Sequence, residues 1–451
     1  MQYEELDKKH LFGKLFWYAV PLMIGNVVLL SYDLVDAIVI SKFVGEVGLA
    51  AVSNGGQISS LVLLFFYGLT MGASVIVSEY FGAKDMAGVK LEVSTVFIAG
   101  GIFAILLSSL LALSTRILFL IMQVHIDVLP SAIAYLRIAC IGLPFVFVYQ
   151  VFANALKAMG NSKTPTIFLV LSAVINIVLD LVFVAIFKWG VEGASSATVI
   201  AQVVTCIITY IYVQVFVKEL RLGKNDFVVR KKLLIRTFKD GSITAIQQAV
   251  PPLGRTLIMA KVNTLGVAAM AANGILNKID SFAILPAQNL GAGVMTYVAQ
   301  SRGAKKKDLI YDIFKNALAL ELVFAAAIFA VLFFFKYDIM VALSPKDSFE
   351  VIALGNSYLH IMAFGYFLIA IVNCFQFFFR GMGNMSLTLY SSLINVVIKV
   401  FTVYQFISIL KLDSVAWGTI VGWTIMNIYC YITYRHFKHH KWKDIYEERV
   451  L

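Results

Sequence analysis

The sequence predicts an all-α membrane protein with about twelve transmembrane helices in two similar halves. Of its 451 residues, 60% are hydrophobic and only 14% are charged, and the mean hydropathy is +0.85. Soluble globular domains carry about 25% charged residues, so this chain has more apolar surface than a soluble core can bury. A helix crosses a membrane with roughly 20 apolar residues, and the chain supplies a series of such stretches separated by short polar breaks.

The apolar stretches give the predicted spans in chain order. Each is expected to be a helix, because backbone groups in lipid must be hydrogen-bonded within the protein. The first stretch is too long for the core of a signal peptide, so we interpret it as a retained span. The predicted spans are Phe16–Ser41, Gly55–Val77, Val93–Leu113, Ile133–Leu156, Ile167–Phe187, Ala194–Val217, Ile243–Met259, Ala269–Val298, Ile313–Phe335, Tyr358–Phe379, Leu387–Leu410 and Val415–Tyr434.

Basic residues concentrate in alternate loops, for example at Lys84 and Lys90 after the second span and at Arg302 and Lys305 after the eighth. The longest connection, residues 218–240, is also strongly basic. Cytoplasmic loops carry an excess of Lys and Arg, so both termini and this connection are expected in the cytoplasm. The net charge of +11 is then explained by topology, without a nucleic-acid partner.

The second half of the chain repeats short patterns of the first half in the same order. Four matched segments have offsets of 218, 221, 223 and 219 residues. They are residues 44–51 with 262–269, residues 82–84 with 303–305, residues 159–161 with 382–384, and Asn176 with Asn395. Six spans per half make this a parallel repeat, an arrangement found in secondary transporters. The predicted domains are a lobe of residues 1–217, a basic linker of residues 218–240 and a lobe of residues 241–451.

Acidic residues inside the first and fifth spans are candidates for a coupling site. A charge at the centre of a bilayer costs at least about 2.5–3.5 kcal/mol, and Asp33, Asp36 and Asp180 lie within these spans. Asn176 and Asp180 are four residues apart and share a helix face. Such a group is suited to a proton or, with amide and hydroxyl oxygens, to a sodium ion. The alternative is a structural hydrogen-bond network, which we favour for Asp33.

The second half carries basic residues in its apolar stretches, namely Arg255, Lys278 and Lys399. Lys399 follows Asn395 by four residues, as Asp180 follows Asn176. These bases are candidates for lining a substrate cavity that accepts an anionic group, and Asp33 is a further candidate for the substrate cavity. The alternative is internal neutralisation by an acidic residue such as Asp280 or Glu321.

Several segments together resemble the multidrug and toxic compound extrusion (MATE) transporters. They are Pro21–Gly48, Gly82–Lys84, Lys157–Asn161, Asn176–Asp180 and the Gly193-Ala194 pair. The resemblance implies two six-helix lobes in a V around a central cavity, and efflux of organic, often cationic, compounds in exchange for protons or sodium ions.

One group within this family carries a polar site in the N-terminal lobe, and its motif matches Asp36, Asn176, Asp180 and Thr198. Another group has carboxylates in the seventh and tenth spans, where this sequence has none. The resemblance therefore favours ion coupling in the first lobe.

We expect a secondary efflux transporter that acts as a monomer in a bacterial-type cytoplasmic membrane, contacting a small organic solute and lipid. The alternatives are a related flippase for lipid-linked oligosaccharides and a receptor or enzyme without transport. The sequence has no phosphate-binding glycine-rich loop, so we expect no ATP coupling, no cofactor and no catalytic activity. The four cysteines lie in apolar stretches with the spacing of neither a disulfide framework nor a zinc site.

Overall fold

The computed structural model describes residues 10–345 and 348–440. Twelve long helices within these ranges confirm the predicted all-helical fold. They are α1 (Leu11–Phe43), α2 (Glu46–Gly82), α3 (Met86–Ile121), α4 (Leu129–Ala158), α5 (Lys163–Ile186), α6 (Gly190–Phe216), α7 (Lys231–Val262), α8 (Val267–Gly303), α9 (Lys307–Leu343), α10 (Phe349–Gly381), α11 (Met385–Leu410) and α12 (Asp413–His440).

Ten of these helices are long and apolar enough to cross a membrane by length and composition. The two others are α7 and α8, whose apolar stretches are interrupted by polar and charged residues. Arg255 lies inside α7, and Lys278 and Asp280 lie inside α8. These two helices therefore hold three of the charges that the sequence singled out in its second half.

The described chain forms two compact units, and two helices are divided between them. Unit 1 contains residues 20–245, and unit 2 contains residues 10–19, 246–345 and 348–440. The division of α1 falls next to Pro21, a residue that removes one helical hydrogen bond. The division of α7 falls between Ala245 and Ile246, shortly before Pro251.

The internal repeat is visible in the backbone of each unit. Helices α2 and α8 are both 37 residues long, and each begins directly after a glycine with positive φ. The matching positive-φ residues are Gly45 and Gly266, Lys84 and Lys305, and Gly160 and Gly383. The turn before α2 therefore matches the turn before α8 at an offset of 266 − 45 = 221, and not at the 218 that the sequence pattern indicated.

Unit 1 is held together by apolar packing of α2, α3 and α4 and by a close approach of α2 to the first part of α7. Phe66 packs edge-to-face on Phe147, with ring centroids 5.1 Å apart. A Cβ on Gly72 would lie 2.8 Å from the backbone nitrogen of Gly241, so the two backbones touch. Arg236 Nη2 also pairs with Glu79 Oε2 at 2.7 Å.

Candidate functional site

Three helices of unit 1, namely α1, α5 and α6, converge around a polar group. Apolar side chains of these helices pack together close to it, with Val39 and Ile40 from α1, Val184 from α5 and Ala194 from α6. These four side chains are at most 5% exposed. The apolar packing fixes the spacing of the helices and so positions the polar side chains beside it.

Asn176 and Asp180 project from one face of α5 into the interior of unit 1, where they are 3% and 1% exposed. The amide orientation of Asn176 that satisfies both neighbours donates to Asp180 Oδ2 at 2.7 Å. The amide oxygen then accepts the backbone N–H of Thr198 on α6 at 3.0 Å. Asn176 thus links the carboxyl group on α5 to α6.

A π-helical turn follows Asp180 directly, at Leu181–Ile186. Turns of this kind interrupt the regular hydrogen-bond ladder and are frequent at functional sites. The interruption separates the half of α5 that carries Asn176 and Asp180 from its last turns. The backbone after Asp180 therefore lacks the regular register of a continuous α-helix.

Asp36 on α1 completes the group, because its carboxyl group lies next to that of Asp180 and interacts with it electrostatically. An ionised carboxylate can only accept hydrogen bonds, so a direct bond between two carboxyl groups would require one proton between them. Asp180 Oδ1 is buried and accepts no hydrogen bond from the described residues. The arrangement is therefore suited to hold one proton between the two groups.

Two tyrosines that the sequence did not single out lie beside this pair. Tyr32 hydrogen-bonds to Thr198 and interacts electrostatically with Asp36 and Asp180. Tyr135 on α4 is a further electrostatic neighbour of Tyr32. Tyr32 precedes Asp36 by four residues, so its position on the same face of α1 was a usable sequence signal.

The structure brings together the four residues predicted as an ion-coupling site, Asp36, Asn176, Asp180 and Thr198. Their role remains a prediction. The side chain of Asp33 lies outside the described part of the structure.

Unit 2 contains a second polar cluster, centred on Asp280 of α8. Tyr358 on α10 donates its hydroxyl to Asp280 Oδ2 at 3.1 Å, and Tyr366 donates to Oδ1. Both tyrosines are at most 3% exposed. Arg255 on α7 and Lys399 on α11 interact electrostatically with the same carboxylate. Among the contacts of the described residues, neither cation is close enough to form an ion pair with it.

The remaining charged candidates of unit 2 lie apart from this cluster. Lys278 is exposed on α8. Glu321 on α9 is 1% exposed, and neither of its carboxylate oxygens accepts a hydrogen bond in the described part of the chain. Its electrostatic neighbour is Cys374 on α10, and it is not among the electrostatic partners of Lys399. Of the two acids proposed to neutralise the bases, Asp280 is therefore the one beside Lys399.

Gln247 of α7 belongs to a further buried hydrogen-bond network in unit 2. It accepts a hydrogen bond from Arg380 of α10 and donates one to Ser392 Oγ of α11 at 2.9 Å. The three side chains are at most 4% exposed. This buried network ties α7, α10 and α11 together.

Comparison with known proteins agrees with this arrangement of helices. The MatE family model matches residues 21–182 and 244–405, one segment in each half. A probable multidrug resistance protein of Bacillus subtilis, YoeA, is 25% identical over 372 residues, covering 81% of this chain and 80% of that protein. An FAD transporter of Shewanella oneidensis is 22% identical over 352 residues, covering 75% and 77%. A crystal structure of the Vibrio cholerae MATE transporter VcmN superposes with a TM-score of 0.90 at 20% identity, covering 97% and 99%.

The family segments span 162 + 162 = 324 of the 451 residues. They contain the α1, α5 and α11 residues of both polar clusters. A match to the family over both halves of the chain favours transport over the flippase, receptor and enzyme alternatives. The chain is therefore an integral membrane transporter, not an enzyme, and it belongs to the MatE family of multidrug and toxic compound extrusion transporters.

Proposed function

We propose that this transporter exports a small organic solute in exchange for protons, and that the proton binds between Asp36 and Asp180. Transport by this family is coupled to an ion, and the open question is which ion. The observation that carries the proposal is the close approach of the two buried carboxyl groups. A direct hydrogen bond between them exists only while a proton is held in the site.

The alternative is a sodium ion, which needs several oxygen ligands that point at one position. In the amide orientation that satisfies both neighbours, Asn176 gives Asp180 a hydrogen-bond donor and not an oxygen ligand. This orientation favours the proton.

The coupling follows from the cost of charge in the apolar core of unit 1. With a proton present, the two carboxyl groups attract each other and hold α1 against α5. Without it, two adjacent carboxylates repel, and each is poorly solvated. Loss of the proton therefore favours a different packing of α1, and the solute need only prefer that packing for the two fluxes to be linked.

The test is transport by the purified full-length protein in liposomes. Ethidium, an organic cation, and 2-naphthalenesulfonate, an organic anion, serve as separate probes, with protein-free liposomes as control. We expect a pH gradient alone to drive accumulation of at least one probe. If a probe accumulates only under a sodium gradient, proton coupling is contradicted. If no probe accumulates under either gradient, the export function is contradicted.

We also propose that the transporter is a monomer surrounded by lipid in a cytoplasmic membrane, with both termini and the basic segment of residues 218–240 on the cytoplasmic side. The basis is the excess of Lys and Arg in alternate loops. In intact cells, a cysteine introduced by Lys224→Cys should resist a membrane-impermeant maleimide and should react after permeabilisation. Labelling in intact cells would show that the orientation is the opposite of the one proposed.

A further inference from the structure

The two units carry charged residues of opposite sign at a repeat-related position. Asp180 follows Asn176 by four residues in α5, and Lys399 follows Asn395 by four in α11. An acid of unit 1 therefore corresponds to a base of unit 2.

A second base, Arg255, lies on the helix next to this one. Helix α7 packs on α11 directly beside Arg255, since a Cβ added to Gly254 would lie 2.7 Å from Val396 Cγ1. The two bases of unit 2 therefore lie on neighbouring helices.

The bases of unit 2 are only partly balanced. Arg255 and Lys399 contribute two positive charges and Asp280 contributes one negative charge, which leaves +2 − 1 = +1 in the described cluster. The two oxygens of Asp280 already accept hydrogen bonds from Tyr358 and Tyr366. Arg255 and Lys399 therefore do not share a direct ion pair with Asp280, and their hydrogen-bond donors remain available.

We propose that Arg255 and Lys399 form a binding site for one anionic group, such as a sulfonate, carboxylate or phosphate. A single negative charge would neutralise the cluster, and Asp280 with its two tyrosines would hold the bases in place. The assignment of this anionic group to the exported solute rests on the proposed function. The same chemistry would also accept a free inorganic anion.

Access and donor geometry agree with such a site. Arg255 is exposed and Lys399 is half-buried, so neither base is covered completely by the described side chains of unit 2. A guanidinium group binds planar oxyanions through two parallel hydrogen bonds, and an ammonium group adds a compact charge. The side chains of Tyr358 and Tyr366 are buried and hydrogen-bonded to Asp280, so they hold its carboxylate in place.

The test measures binding to the purified full-length protein in detergent by isothermal titration calorimetry. The probes are 2-naphthalenesulfonate and the neutral 2-naphthalenesulfonamide, which differ in charge and little in shape. We expect the sulfonate to bind about tenfold more tightly or better, because hydrogen bonds to charged groups contribute about 1.5–3 kcal/mol. Equal affinity for the two probes, or no binding of the sulfonate, would overturn the proposal.

Variants assign the effect to named residues. Lys399→Gln and Arg255→Gln should each weaken sulfonate binding about tenfold. Lys399→Arg keeps the positive charge and should retain binding. It therefore shows whether the loss in Lys399→Gln comes from the missing charge or from misfolding. Asp280→Asn should strengthen binding, since it removes the negative charge. The matched control is Lys261→Gln, which removes a base of α7 that packs on Tyr404 with its Nζ 5.0 Å from the ring centroid. If Lys261→Gln weakens binding as much as Lys399→Gln, the site is not at Lys399.

Separate titrations with sodium chloride and with sodium sulfate at matched ionic strength distinguish the two sources of the anion. A loss of sulfonate binding that differs between the two salts would identify a site for a free inorganic anion, and an equal loss, caused by ionic strength alone, would identify a site for a solute group. Both results support an anion site and differ only in its ligand. Since binding is measured without a membrane or a gradient, failure of proton-driven export in liposomes would leave this result unaffected.

Discussion

At the scale of single residues, the central feature is a pair of carboxyl groups that we propose to hold one proton. Asp36 and Asp180 lie next to each other inside a helical unit, and Asn176 donates to the carboxyl group of Asp180 in the amide orientation that satisfies both neighbours. Coupled acids of this kind titrate as a pair, so the proton belongs to the pair and not to either residue. The site therefore has two states, protonated and deprotonated, that differ in the attraction between α1 and α5.

The residues of this pair were predictable, and several of their neighbours were not. The cost of a charge in the bilayer pointed to Asp36 and Asp180, and spacing along the helix pointed to Asn176. Tyr358 and Tyr366 escaped notice because the chain has 20 tyrosines, and only the packing of α8 on α10 selects these two as partners of Asp280. The register of a contact between distant helices is not encoded in the hydropathy of either one.

At the scale of helices, the apolar pattern located the membrane-spanning parts but underestimated the helix lengths. Helix α2 runs from Glu46 to Gly82, whereas its apolar stretch was predicted as Gly55–Val77. Helix α7 begins at Lys231, within a basic segment that hydropathy assigns to a loop. Helices continue past the lipid-facing stretch because their ends are satisfied by packing and by polar side chains, which hydropathy does not register.

The close approach of α2 to α7 gives a prediction at this scale. Gly72→Ala should lower the stability of the protein by about 1–3 kcal/mol, because the added Cβ would lie 2.8 Å from a backbone atom of Gly241. Gly56→Ala lies in the same helix with no atom within 4 Å of the added Cβ, so it should raise stability by roughly 0.5–1 kcal/mol through helix propensity. Thermal unfolding in one detergent compares the two, and equal midpoints would show that the backbones are not in contact.

At the scale of the whole molecule, the repeat supplies two six-helix halves that share a backbone plan and differ in charge. The turns with positive φ recur in both halves, as at Gly160 and Gly383, whereas Asp180 is matched by Lys399. The sequence pattern revealed the repeat because turn residues are constrained by the backbone. It did not reveal that α1 and α7 are each divided between the two compact units, since that depends on tertiary packing alone.

This plan separates the two tasks of an exchanger. Unit 1 contains the pair proposed to bind a proton, and unit 2 contains the cluster proposed to bind an anionic group. Because each site lies within its own unit, a substitution at one should leave equilibrium binding at the other largely intact. Coupling then depends on the two packings of the protein and not on competition for one position.

The most direct test of the account compares uphill transport with exchange in Asp36→Asn and Asp180→Asn. Both variants are reconstituted in liposomes with whichever of ethidium and 2-naphthalenesulfonate the unmodified protein accumulates under a pH gradient. Each should lose accumulation driven by the pH gradient, because an amide cannot release and rebind the coupling proton. Each should retain exchange of labelled for unlabelled probe without a gradient, because the protein with bound solute can still change between its two packings. If either variant accumulates the probe at the rate of the unmodified protein, that carboxyl group does not carry the coupling proton.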